Sequence, residues 1–141
     1  MYTQILIITL AVLVLIVLQH VNAQNRIFPI RVAPSSVHGR GVFATRDIKK
    51  GEIIEDAPVV LFDRNEVKPG NILRDYDIRY DDTRHAMMLG YGAVFNHSDD
   101  NSANWNFIDD QTIRITANRP IKKDEEIFVN YGTQYWASRS N

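Results

Sequence analysis

The sequence predicts a mainly β domain built of several small sheets and preceded by a hydrophobic N-terminal helix. Three observations carry that expectation. No charged side chain occurs before Arg26, so all 16 Lys and Arg and all 17 Asp and Glu lie from there onward. Beyond that point the apolar residues come in short runs separated by turn residues. Within this polar part only Asp75 to Leu89 has the length and polarity for a helix, and Pro69-Gly70-Asn71 offers a loop for its start. The chain of 141 residues therefore divides into a hydrophobic segment, residues 1–25, and one domain, residues 26–141, a length that suits a single core.

The hydrophobic segment runs from Ile5 to Leu18, with weakly polar flanks from Tyr2 to Val21. About 20 apolar residues cross a bilayer as a helix, so residues 2–21 are just long enough for a single-pass membrane anchor. Val21-Asn22-Ala23 also has the form of a small-residue cleavage site, and a protein secreted after a cut at Ala23 is the alternative. A signal sequence normally carries Lys or Arg ahead of its apolar centre, and here Arg26 and Arg31 follow it instead. That flank favours the anchor, with the C-terminal domain cytosolic.

Strands are expected where the apolar pattern is short. Arg26 to Val32 alternates, Gly41 to Ala44 is a brief apolar run, and Glu52 to Phe62 holds a longer one. Further strands are expected at Trp105 to Ile108, Thr112 to Ala117 and Glu126 to Val129. Ile48-Lys49-Lys50-Gly51-Glu52 and Ile121-Lys122-Lys123-Asp124-Glu125 share one frame, and both read as turns entering strands.

Composition excludes several chemistries. With no cysteine there is no disulfide framework, no thiolate zinc site and no cysteine nucleophile. His20, His38, His85 and His97 show no ligand spacing, so no metal site is expected. The net charge of −1 argues against direct binding of nucleic acid through a basic surface.

Three strings combine polar residues with apolar flanks that would bury them. His38-Gly39-Arg40-Gly41-Val42-Phe43 contains two glycines that let backbone approach a ligand, although a plain turn explains them about as well. It lacks the ending of a phosphate loop. Gly90-Tyr91-Gly92-Ala93-Val94-Phe95-Asn96-His97-Ser98 ends an apolar run in three hydrogen-bonding side chains. Neighbouring His97 and Ser98 point to opposite faces of an extended chain, which excludes a hydrolase pair. Glu125-Glu126-Ile127-Phe128-Val129-Asn130-Tyr131-Gly132 delivers a tyrosine to a glycine bend, and Tyr135 and Trp136 follow.

In this order the three strings resemble the SET domain of protein lysine methyltransferases, over Ile27 to about Ser138. The form is most similar to the small stand-alone viral members, which share the run from Leu89 to Ser98 and the ending Tyr131 to Trp136. The resemblance implies a SET fold with a pseudoknot-like C-terminal threading, and S-adenosylmethionine as cofactor. By position it implies that Gly39, Arg40 and Gly41 cradle the cofactor, that Asn96 and His97 hold its two ends, and that Trp136 covers the adenine. It further implies Tyr131 as the catalytic tyrosine, with Tyr135 and Tyr91 lining the lysine channel. Zinc-binding flanks of many members are missing, so the wall of the site is expected from Tyr135, Trp136 and the last residues or from a second subunit in a homodimer. Asn101-Ser102 stands where Pro-Asn is usual.

From Asp75 to Asp110 eight aspartates stand against Arg79 and Arg84, an acidic stretch that would steer a basic protein or peptide substrate such as a histone tail. The expected function is methyl transfer to a lysine amine. The alternative is a catalytically weak SET-scaffold binding module at a membrane.

Overall fold

The computed structural model describes Gln4, residues 9–18 and residues 28–137. Residues 9–18 are helical and form α1. Among the described residues no helix is long and apolar enough to cross a membrane. The membrane anchor over residues 2–21, the membrane localisation and the membrane-held binding module expected above are corrected accordingly: a span needs a helix that is both apolar and about 20 residues long, and the described residues contain none. Ala23, with the expected secretory cut, lies outside the described residues.

The described residues form nine strands in two sheets. In the first, β1 (Ile30–Pro34) and β2 (Arg40–Ala44) make an antiparallel hairpin, and β9 (Glu126–Val129) pairs antiparallel with β2 through Val42 and Ile127. The two-residue strand β6 (Asn96–His97) then lies parallel to β9. The last strand is thus inserted between two earlier ones, the threading that the resemblance implies. The second sheet has the order β4-β5-β3-β8-β7. Its hub is β3 (Ile53–Asp63), whose first half pairs with β8 (Thr112–Ala117) and whose second half pairs with β5 (Arg84–Met88). Pro58, which has no N–H to give a ladder, stands where β3 passes from one partner to the other. β7 (Ala103–Phe107) closes one edge and β4 (Asp77–Arg79) the other.

Alternate residues of these strands build one core, as a period of two demands. Val42 and Ala44, Ile113, Ile115 and Ala117, and Ile127 and Val129 all point inward, joined by Ile48, Ile54, Phe95 and Ile121. Each buried Ile or Val of this kind contributes roughly 1.5–3 kcal/mol. The two look-alike turns meet across this core. Ile48 and Ile121 exchange backbone hydrogen bonds of 2.9 Å. Glu52 accepts from the Lys49 N–H at 3.0 Å, and Glu125 from the Lys122 N–H at 2.9 Å. Gly51 and Asp124 carry the positive φ that both turns need, 82° and 65°.

The expected helix over Asp75–Leu89 is corrected to a hairpin of β4 and β5, entered through a 3₁₀ turn at Ile72–Asp75. Local and tertiary interactions agree in opposing the helix. The Asp81 carboxylate accepts from the backbone N–H groups of Thr83 and Arg84 at 2.8 and 2.7 Å, which closes a turn instead of a helical repeat. β5 then completes its ladder on β3.

One buried group is set apart from this apolar interior. A register shift between Ile53 and Glu55 turns Glu55 inward beside Ile54. Its Oε1 accepts the Tyr91 N–H at 3.1 Å, while Oε2 is buried with no hydrogen-bond partner. Burial lifts its pKa to about 7. The folded domain therefore holds this proton more tightly than the unfolded chain does, and the stabilisation it brings is complete at acid pH and lost as pH rises through 7. Thermal melts should show Glu55→Gln gaining stability on the wild type between pH 5 and pH 8, by on the order of 2 kcal/mol; a constant difference across that range would refute the assignment.

Candidate functional site

Strand β6 and the residue after β9 bring the three strings together. Asn96 is buried, and its Nδ2 donates to the carbonyls of His38 and Arg40 at 3.1 and 3.2 Å and to Glu126 Oε1 at 2.9 Å. One amide thereby ties the glycine-bearing turn to both central strands. Ser35 Oγ donates to the second oxygen of Glu126 at 3.0 Å and accepts the Val37 N–H at 2.9 Å, so the turn is held from its other end as well. Gly41 sits inside this network. A Cβ there would fall onto Glu126 Oε1 and lie 3.2 Å from Asn96 Nδ2. Its side chain is therefore excluded by neighbouring protein groups, and no ligand has to be invoked. Gly39, at φ 47°, holds the left-handed turn with open space around it.

His97 leads to the second half of the site. The Tyr131 backbone N–H donates to His97 Nδ1 at 3.1 Å, which leaves the proton of a neutral ring on Nε2, 3.4 Å from Asp99 Oδ1. The Tyr131 hydroxyl donates to the Phe95 carbonyl at 2.7 Å. Its ring lies 5.2 Å from His97 and 4.6 Å from Tyr135, with Trp136 6.2 Å away and stacked. Tyr135 and Trp136 belong to the short helix α2 (Thr133–Ala137). Trp136 also meets His97 edge-on at 5.1 Å, and Tyr135 donates through its hydroxyl to the Asp75 carbonyl at 3.1 Å. Of the two sources expected for the wall of the site, the chain's own Tyr135 and Trp136 stand beside Tyr131. Burial pushes the Tyr131 pKa up to about 12, with Tyr135 and Tyr76 adding to the shift.

Tyr131 is shared with a cavity of about 610 Å³ whose apolar walls are Ile78, Trp105 and Tyr135. Asn96, His97 and the Gly39–Gly41 turn do not line it. Tyr131 thus stands between a polar side, made by β2 and β6, and this second space. Tyr91 is elsewhere: its ring packs edge-on against Phe28 at 6.2 Å and against the core. The loop after β6 is built without the usual proline. Asn101 Nδ2 donates to the carbonyl of Ala103, and Asn118 Nδ2 to the carbonyl of Asn101, at 2.8 and 3.0 Å.

Sequence reasoning missed Glu126, Ser35 and the Phe95 carbonyl. Glu126 was legible as part of a motif, but adjacent Glu125 and Glu126 are alike in composition. Only the strand's alternation sends one to the Lys122 turn and the other to Asn96.

This geometry is matched by known proteins. The SET domain matches residues 39–132, and the chain belongs to that family, the class of the protein-lysine methyltransferases. It is 29% identical over 117 residues to the histone-lysine N-methyltransferase of Schizosaccharomyces pombe specific for H3 lysine-37, covering 77% of this chain and 76% of that one. A crystal structure of a Plasmodium falciparum protein, described as a candidate histone methyltransferase, agrees with a TM-score of 0.67 at 34% identity, over 77% of this chain and 96% of that one. A humanized mutant of the Chaetomium thermophilum Polycomb Repressive Complex 2, bound to an inhibitor, shares the fold with a TM-score of 0.62 at 23% identity, over 73% of this chain and 15% of that one. None of these three is viral, and the viral likeness expected above is not carried further.

The packing at Gly41 gives a direct test. Gly41→Ala should lower the melting temperature by several degrees, an overpacking effect of about 1–3 kcal/mol, whereas Gly39→Ala should cost only the strain of its positive φ, about 1 kcal/mol. Equal melting shifts would refute the steric role of Gly41.

Proposed function

We propose that this chain transfers a methyl group from S-adenosylmethionine to a lysine side chain of a histone. The observation that carries this reading is Tyr131, half-buried between the Asn96–His97 side and the separate cavity, with its hydroxyl hydrogen pointed at the Phe95 carbonyl.

The polar side fits the cofactor by its donor set. Arg40 is exposed and, among the described residues, makes no side-chain ion pair, which suits the cofactor's carboxylate. Gly39 leaves its surroundings open for backbone contact, and Trp136, 48% exposed beside His97, offers an aromatic face to a purine. Asn96 would act through the turn it holds, because its Nδ2 is already shared among three acceptors of the chain. When bound, the cofactor supplies an electrophilic methyl group on a sulfonium. The chain's task is then alignment of the lysine amine at near-attack distance.

Tyr131 is suited to that task and not to removing the proton. With a pKa of about 12 its hydroxyl stays protonated at neutral pH. Because that hydrogen is given to the Phe95 carbonyl, the oxygen's lone pairs are left to accept from the amine. The lysine itself, ordinarily near pKa 10.4, is pushed toward its neutral form by an apolar, aromatic setting. Tyr135 supports this with a ring 4.6 Å from Tyr131, anchored on the Asp75 carbonyl. The histone as substrate is supported by the H3 lysine-37 specificity of the Schizosaccharomyces pombe relative.

Radiolabelled methyl transfer to histone H3 and to lysine peptides tests the reading. The wild type should label a histone, and Tyr131→Phe should lose on the order of 10²-fold in rate while retaining its fold, since one hydrogen bond contributes about 1 kcal/mol. The wild-type rate should rise with pH as lysine deprotonates, without a descending limb from Tyr131 below pH 10. Absence of labelling, or equal labelling by Tyr131→Phe, would overturn it.

A further inference from the structure

The cavity that Tyr131 borders carries a charge pattern opposite to the one its stretch of sequence suggests. Three guanidinium groups line it, those of Arg64, Arg74 and Arg79, against the single carboxylate of Asp77. Asp77 has no charge to spare. It is 5% exposed, and its Oδ2 lies 2.9 Å from both Arg74 Nη1 and His85 Nδ1. Arg79 donates through Nη1 to Gln134 Oε1 in the cavity wall at 3.0 Å and through Nε to the Asp81 carbonyl at 3.2 Å, and pairs with Asp82. The Asp82 side chain is 90% exposed and is not part of the lining, so solvent screens that pair. Arg64 makes one side-chain hydrogen bond, to the Asp82 carbonyl at 3.3 Å. The rest of its planar donor set remains for a ligand. Asp81, the next acid in this stretch, is taken up by Arg84 at 2.7 Å.

We infer that this cavity is a subsite for an anionic side chain of the substrate, a carboxylate or a phosphate, lying a few residues from the lysine that is methylated. The inference rests on the methyltransferase reading for the place of the lysine at Tyr131. Arg64 provides the forked N–H donors that a carboxylate or phosphate accepts in pairs, and Arg79, whose three nitrogens already donate within the chain, adds its positive charge beside them. The apolar walls of Ile78, Trp105 and Tyr135 lower the local polarity on one side of the arginines, which favours their attraction for an anion over that of a flat, fully solvated surface. A second basic side chain of a histone tail is disfavoured in the same space. Preference for the site of modification is then set by the residue beside the lysine as well as by the lysine.

Binding of labelled peptides to the full-length protein, followed by fluorescence anisotropy, tests this without depending on methyl transfer. Each peptide carries one lysine, with alanine, glutamate or phosphoserine placed in turn at the flanking positions. At one position glutamate or phosphoserine should tighten binding by about tenfold, and the gain should shrink to within about twofold in Arg64→Gln and Arg79→Gln and at salt near 0.5 M. Tightening by phosphoserine alone identifies phosphate as the group recognised, and tightening by both shows that a carboxylate suffices. Thermal melts of both variants establish that they are folded. Binding of every anionic peptide no tighter than the alanine peptide overturns the subsite, as does a preference that survives in both variants. Discrimination among peptides with no methyl transfer to any of them would instead overturn the proposed function and leave the subsite standing.

Discussion

Strand β9 is held along both of its edges, antiparallel to β2 and parallel to β6, and the whole site hangs from that insertion. Buried Ser102 locks it in place: its N–H donates to the Phe128 carbonyl and its Oγ accepts the Phe128 N–H, each at 3.1 Å. Tyr131 follows two residues after the strand, so its position is that of β9. Asn96 and His97 are themselves strand β6, and the glycine turn precedes β2. Residues far apart in the chain become neighbours through four short strands, and the loop-closure entropy of that arrangement is offset by the apolar core beneath it.

The same economy of partners shapes the charges. Arg74, Arg79 and Arg84 each answer an aspartate of the β4–β5 hairpin, and those pairs do two things at once. They brace the hairpin around the turn that Asp81 closes by accepting the Thr83 and Arg84 N–H groups. They also withdraw the acidic character that composition assigns to this stretch, leaving a cavity bordered by guanidinium groups. Of the other exposed aspartates, Asp99 and Asp100 lie in the loop before β7 and Asp109 and Asp110 between β7 and β8, where they can still act on a cationic tail at long range.

Tyr131 links the two spaces because its polar and apolar parts are separately satisfied. The backbone N–H is spent on His97 and the hydroxyl hydrogen on Phe95, while the ring is enclosed by His97, Tyr135 and Trp136. Desolvation of that hydroxyl keeps it protonated. A positioning role follows from the same contacts that hold the ring still, which is why one residue can serve both packing and chemistry.

The grouping of Asn96 and His97 with Tyr131 followed from the resemblance of motif order to the SET family, whereas the β-rich class, the strands β2, β3, β8 and β9 to within a residue or two, and the paired lysine turns were legible in the residues themselves. The latter are local matters: alternation with a period of two and turn chemistry act within a few residues. The hydrophobic segment was legible as apolar, but its described helix is too short for the span that apolarity alone suggested. Long-range packing was needed to place β4 and β5 within residues 75–89, to require glycine at position 41 beside Glu126 and Asn96, to pack Tyr91 on Phe28, and to border a cationic cavity with an acidic stretch. The reason is common to all four: each depends on a partner distant in sequence, and neither the ladder of β3 nor the pairing of a particular carboxylate is encoded in the neighbours that a local pattern can read.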